Sequence, residues 1–259
     1  MKALVLSATL ATLVTSPATG AVQFRHQQIE DQLGIGYAVL CEDVDGDGDT
    51  DIVALNETQV AWWSNPNWEK HVGLDGETEA DSVAIAAHDI TGDGKVDFAI
   101  GAAWRPSDTR GGGTLQWIAR REEPSAEWAL HPLGNEPTTH RMRWADTDGD
   151  SRSELIIAPL HGRGTSGPEH WAGNGVRLLA MTPSERPATQ PWHQEVIDDS
   201  FHIVHNFWVL NFDDDESDEL LVASYEGVHL LDRDGAGKWF QTQLKNENCC
   251  DPLEDPTCN

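Results

Sequence analysis

Sixteen oxygen-bearing side chains recur at one spacing in four stretches of this sequence: DVDGDGDTDIVAL from Asp43, DITGDGKVDFAIG from Asp89, DTDGDSRSELIIAP from Asp146 and NFDDDESDELLVAS from Asn211. Each stretch puts an oxygen at loop positions one, three, five and nine. The sets are Asp43, Asp45, Asp47 and Asp51, then Asp89, Thr91, Asp93 and Asp97. The third is Asp146, Asp148, Asp150 and Glu154, and the fourth is Asn211, Asp213, Asp215 and Glu219. So many carboxylates in nine residues repel one another unless a counter-charge sits among them. Hard oxygen donors at alternate positions, with glycine at the tight turns, are what Ca²⁺ coordination asks for. The fourth loop is the weakest, since it has no glycine and begins with Asn. None is an EF-hand, because position twelve is Ala54, Ile100, Ile157 and Val222, all apolar, where an acidic bidentate ligand is required.

A second chemistry is carried by His, Arg and Tyr. The strings THRMRW, PLHGRG, HIVHNFW and SYEG supply His140, Arg141, His161, Arg163, His202, His205, Asn206, Tyr225 and Glu226. Histidine shuttles protons or binds metal, Tyr is a second acid or base, and Arg clamps a carboxylate or a developing oxyanion. That combination suits β-elimination beside a carbonyl, with a Zn²⁺ or another divalent ion as an alternative to the arginine charge. His26, His71, His131, His170, His193 and His229 read as structural, and His88 lies beside a calcium loop.

The elements that must position these groups repeat as well. Before each loop runs a strand-like segment, such as Tyr37–Leu40 or Asn206–Leu210. After it come DIVAL, DFAIG, ELIIAP and ELLVAS, then QVAWWSN, GTLQWIAR, VRLLAM and GVHLLDR. A fourth segment opens on Trp68, Trp128, Trp192 or Trp239. Four short strands per unit, repeated four times, predict an all-β fold of four-stranded β-propeller blades. Strands one and two form a hairpin around the calcium loop. The start of strand one and the end of strand two therefore meet at the opposite rim. Tyr37, Val83, His140 and His205 stand there, with Trp104 and Arg105, His161 to Arg163, and Tyr225 and Glu226. Trp62 and Trp63 could stack on sugars, but tryptophan recurs in every blade and reads as packing.

The D-x-D-G-D-G-x-x-D pattern followed by an apolar strand resembles the FG-GAP or VCBS repeat, over nearly all of residues 24–245. The order of the His, Arg and Tyr strings resembles the propeller domain of aldos-2-ulose dehydratases and, more loosely, propeller ulvan lyases. The resemblance implies elimination on a sugar. It makes His140 and His161 the acid/base or metal-binding histidines, His205 a further ligand and Tyr225 a proton donor. From residue type and rim position, Arg141 and Arg163 read as catalytic cations, and His202, His205, Asn206, Glu226, Trp104 and Arg105 as substrate contacts. The related propellers have seven blades, so four units imply an incomplete ring, with a closed four-bladed ring the alternative. Phe24-Arg25-His26 reads as the outer strand of a further blade, by analogy with Trp68 to His71. An open arc leaves an apolar blade face uncovered and predicts self-association. The opposing expectation is a non-catalytic propeller that binds carbohydrate or protein.

Composition bounds the partners. Lys and Arg number 17 against 44 Asp and Glu, a formal charge of −27, which repels nucleic acid and anionic membranes. Lys2, an apolar run to Val14 and a small-residue exit at Ala21 make residues 1–21 a secretory signal peptide, hence a secreted or periplasmic protein. The apolar run is too short to span a bilayer. Residues 22–245 are then the propeller and 246–259 a tail, in which Cys249 or Cys250 could pair with Cys258.

Overall fold

The protein is described by a computed structural model over residues 23–120, 128–169 and 171–244. The signal-peptide expectation and the tail cysteines lie outside these residues. Among the described residues sixteen strands form four antiparallel sheets, each with its strands in chain order. Blade one holds β1 (Ala38–Glu42), β2 (Asp51–Leu55), β3 (Gln59–Ser64) and β4 (Glu69–Asp75). Blade two holds β5 (Ala84–His88), β6 (Asp97–Ala102), β7 (Thr114–Ala119) and β8 (Ala129–Asn135). Blade three holds β9 (Thr139–Ala145), β10 (Glu154–Pro159), β11 (Leu178–Thr182) and β12 (His193–Asp198). Blade four holds β13 (Val204–Leu210), β14 (Glu219–Ser224), β15 (Gly227–Arg233) and β16 (Trp239–Gln243). Among the described residues no helix is long and apolar enough to cross a membrane.

The second strands of blades two and three, β6 and β10, are buried along their whole length because a neighbouring blade covers each face. Val53, Leu55, Phe98, Ile118 and Trp128 belong to the seam between blades one and two. Trp117, Leu155, Ile157 and Trp192 belong to the seam between blades two and three, and Ile156, Phe207, Leu220 and Val222 to the last. Burying side chains of this size contributes roughly 1.5–3 kcal/mol each. The tryptophans Trp128, Trp192 and Trp239 at the fourth strands of blades two to four reach back into the preceding seam, which is why the residue recurs. Trp62 and Trp63 are only 7% and 3% exposed, so the pair packs and presents no face to a sugar.

The outer strand expected at Phe24–His26 does not form. Residues 23–30 pair with no sheet and Phe24 is 94% exposed, because its polar sequence offers no alternating apolar face. Ile29 and Leu33 instead pack on Ala54, Ala61 and Trp63, standing where a preceding blade would stand. A hydrogen bond from Asn56 Nδ2 to the Leu33 carbonyl (2.8 Å) and the Lys70–Glu30 ion pair (3.0 Å) tether the segment. Among the described residues no such cover lies on the far face of blade four, where Trp208, Val228 and Phe240 are 60%, 42% and 46% exposed. Three seams join four blades into an open arc, consistent with an incomplete propeller.

Candidate functional site

At one end of every hairpin the acidic loop is built the same way. The residue before position one pairs with position nine across the strands: Glu42 with Asp51, His88 with Asp97, Ala145 with Glu154 and Leu210 with Glu219. This register buries the position-nine acid, and one of its oxygens accepts the backbone N–H of position two. Val44 donates to Asp51 (2.9 Å), Ile90 to Asp97 (3.1 Å), Thr147 to Glu154 (3.0 Å) and Phe212 to Glu219. The position-one side chain accepts from the backbone at position four, from Gly46, Gly92, Gly149 and Asp214. Position four has φ near +60 to +80°, which glycine adopts freely and Asp214 adopts at +63°. The fourth loop thus forms without glycine.

Carboxylate oxygens come within 4.8 Å of one another in Asp43, Asp45 and Asp51, in Asp146, Asp148 and Asp150, and in Asp213, Asp215 and Glu219. That gathering is the donor set a hard cation fits. The second loop makes no such group: Thr91 replaces a carboxylate and Lys95 Nζ sits 4.0 Å from Asp93. Burial pushes the Asp97 carboxyl up to about 6 and also raises Glu154 and Glu219. Desolvated acids without a counter-charge behave this way. Loops three and four touch, since Asp146 N–H donates to Asp218 Oδ2 (3.0 Å) and Asp218 N–H to the Asp146 carbonyl (2.7 Å).

The opposite rim is specialised in blades three and four alone. In β9 the register moves from Arg141↔Ala158 to Thr139↔Pro159, leaving His140 as the extra residue of a bulge. In β13 it moves from Asn206↔Ala223 to Val204↔Ser224, leaving His205 extra in the same way. Bulges re-aim side chains at strand ends. The inner strands of blades one and two pair without one. His140 stacks on Trp104 (4.9 Å between ring centroids) and meets His205 edge-on (5.0 Å). His161 is 93% buried against Trp171, with the rings 3.6 Å apart and nearly parallel. Its backbone N–H donates to Thr138 Oγ1 (3.1 Å), and it bridges to Ile203 of the next blade. Gly162 is needed beside it, because a Cβ there would lie 1.8 Å from the Asn174 carbonyl.

Both imidazoles, the half-buried His140 and the buried His161, are held neutral. Burial is the main cause and pushes His140 down to about 4, helped by the Arg141 charge and by His205 and His161. Burial alone brings His161 to about 4. His140 Nε2 and His161 Nδ1 are buried with no hydrogen-bond partner. Arg141 lies beside His140, its Nη1 donating to the His140 carbonyl (2.8 Å) and lying 3.3 Å from His140 Nδ1. The rim histidines do not form a group of donors within 4.8 Å, so no step is assigned to a Zn²⁺ there.

Other expected site residues are engaged elsewhere. Arg163 grips the buried Glu136 with two hydrogen bonds of 2.8 Å, and Arg177 adds a third at 2.8 Å. That fork is not free to clamp a substrate. Arg105 pairs with Glu79 and Asp108 in solvent. His202 Nδ1 sits 2.6 Å from Glu226 Oε1. Burial raises the Glu226 carboxyl, but the bonds from His202 and Ser224 outweigh it and leave the group lowered. Asn206 accepts the Phe207 N–H (3.0 Å). Tyr225 is 74% exposed and its ring stacks on none of the histidines. Trp171 and Glu136 were not foreseen: the first lies in an insertion between strands, and the second is one acid among 44.

A profile of the β-propeller domain of aldos-2-ulose dehydratase matches residues 112–252, more than half of the chain. The chain belongs to that family. The match runs from the third strand of blade two through blades three and four, the blades that carry both bulges. An FG-GAP-like repeat profile matches residues 43–100, covering the first two acidic loops. No curated protein matches the chain.

Proposed function

We propose that this propeller is stabilised by Ca²⁺ at its acidic loops and dehydrates an aldos-2-ulose or a related keto sugar at the histidine rim. The carrying observation is the pair of neutral imidazoles, the half-buried His140 and the buried His161, aimed by a bulge and a blade-to-blade bridge. A neutral imidazole can take the proton on C3, which is acidic because the C2 carbonyl adjoins it. The C3–H electron pair forms the C3=C4 bond, the C4–O bond breaks, and the oxygen leaves as water after gaining a proton. Arg141, beside His140, offers the cationic donor for the enolate oxygen. His205, whose ring touches His140, is the nearest candidate to return the proton. Loops one, three and four supply the carboxylates for Ca²⁺, which holds the hairpin turns and takes no part in the reaction.

The test is ultraviolet absorbance of the conjugated product when an aldos-2-ulose is incubated with the calcium-loaded protein. Absorbance that rises with wild type and not with His140→Ala plus His161→Ala supports the reading; no rise, or an equal rise in the variant, rejects it. A binding-only propeller is the second reading. It is favoured by Arg163 being committed to Glu136 and by the isolation of Tyr225. Residues 1–21 direct the protein out of the cytoplasm in either reading. Copies associate through the uncovered face of blade four, and a monomer at every concentration in sedimentation equilibrium would remove that part.

A further inference from the structure

The inner strands line a partly open cavity of about 620 Å³ whose lining, among the described residues, holds no Asp or Glu, although the chain carries 44 of them. Much of its wall is aliphatic, from Leu40, Val83, Ile85, Met142 and Val209, with Tyr37, Trp144 and Trp208 among the rest, and two arginines of β9 line it. Arg141 and Arg143 stand on the same face of the strand, roughly 7 Å apart at the backbone. Neither forms an ion pair among the described residues. The Arg143 guanidinium lies 5.0 Å from the ring centroids of both Phe207 and Trp208, and its Nη1 is buried with no hydrogen-bond partner. Burial lowers both guanidinium groups from their ordinary value, and the two charges repel each other. A desolvated cation with an orphaned donor is costly unless an anion completes it. We propose that this cavity binds an aliphatic dicarboxylate, one carboxylate on the Arg143 fork, the other near Arg141, and the methylenes against the apolar wall. A planar guanidinium suits the two oxygens of a carboxylate, and an acid-free pocket shields them from the surrounding −27 charge.

The inference does not depend on the elimination reaction, because binding is measured without turnover. Calorimetry with glutarate at low ionic strength, on the calcium-loaded full chain, tests it, with quenching of Trp208 fluorescence as a second readout. Glutarate binding at submillimolar concentration is expected, with the neutral diamide at least tenfold weaker. Arg143→Gln and Arg141→Gln should each weaken glutarate at least tenfold, and Arg143→Lys should retain part of the affinity. Arg143→Lys and Arg141→Gln keep the test open if Arg143→Gln does not fold, which near-ultraviolet circular dichroism checks. No glutarate binding, equal affinity for the diamide, affinity unchanged in the variants, or sulfate binding more tightly than glutarate would each overturn it.

Discussion

The same hairpins end in two unlike chemistries. At the turn end, carboxylates crowd together and their own backbone amides hold them in place. At the rim and in the inner cavity, imidazoles and guanidiniums, most of them partly buried, have no carboxylate beside them except where Glu136 and Glu226 intervene. Both ends carry groups desolvated without a full complement of partners, and the sign decides what each end recruits. The turns call for cations. The cavity and rim call for an anion or a polarised carbonyl. Charge that looks uniformly acidic in composition is segregated along the hairpins of blades three and four, and the −27 total conceals a cavity whose described lining is free of acid.

The largest expected effect that would break this contrast is on turnover. Replacing His140 and His161 together by Ala should lower any dehydratase rate by about two orders of magnitude or more. The calcium dependence of melting should stay as in wild type. If the double variant lost its calcium response instead, the two ends would not be independent.

A matched pair of loop variants sharpens the contrast within the acidic end. Asp45→Asn should weaken the first loop for Ca²⁺ about tenfold by calorimetry, since Asp45 belongs to a gathered donor set. Asp93→Asn should change little, because the second loop lacks that gathering and already pairs Asp93 with Lys95. Equal effects would show that the four loops bind alike.

The smallest effect is on pH dependence in chelator, where the two ends should pull in opposite directions. His140 and His161 lie near 4 when folded and at 6.5 when unfolded. The unfolded chain therefore takes their protons first, and the stability they contribute is lost as pH falls from 6.5 towards 4. Asp97 lies near 6 when folded against 3.8 unfolded, so its contribution is present at low pH and is lost as pH rises through 6. His140→Gln plus His161→Gln should flatten the fall in melting temperature between pH 6.5 and 4.5. An unchanged slope would mean that the imidazoles are not held neutral.

Much of the fold was legible because the repeat is written in residue type. Alternate oxygens and a following apolar run locate each hairpin, and a Trp marks each fourth strand to within one residue of its start. The rim was legible only in part. Register places His140 and His205 at one end, but the bulges that turn them out arise from pairing between strands, which no local pattern records. Arg163 looked like a free clamp because Glu136, 27 residues away, gives no local sign of meeting it. Phe24 to His26 resembled a strand by composition, yet a strand needs a paired edge, and the chain offered Ile29 and Leu33 a blade face instead.

The most direct test of the division between a metal-binding end and a chemical end is thermal unfolding at pH 7 with Ca²⁺ and with excess chelator. Ions that bind only the folded chain stabilise it by mass action. A midpoint lower by about 10 °C or more in chelator is predicted. Identical midpoints in the two conditions would contradict it.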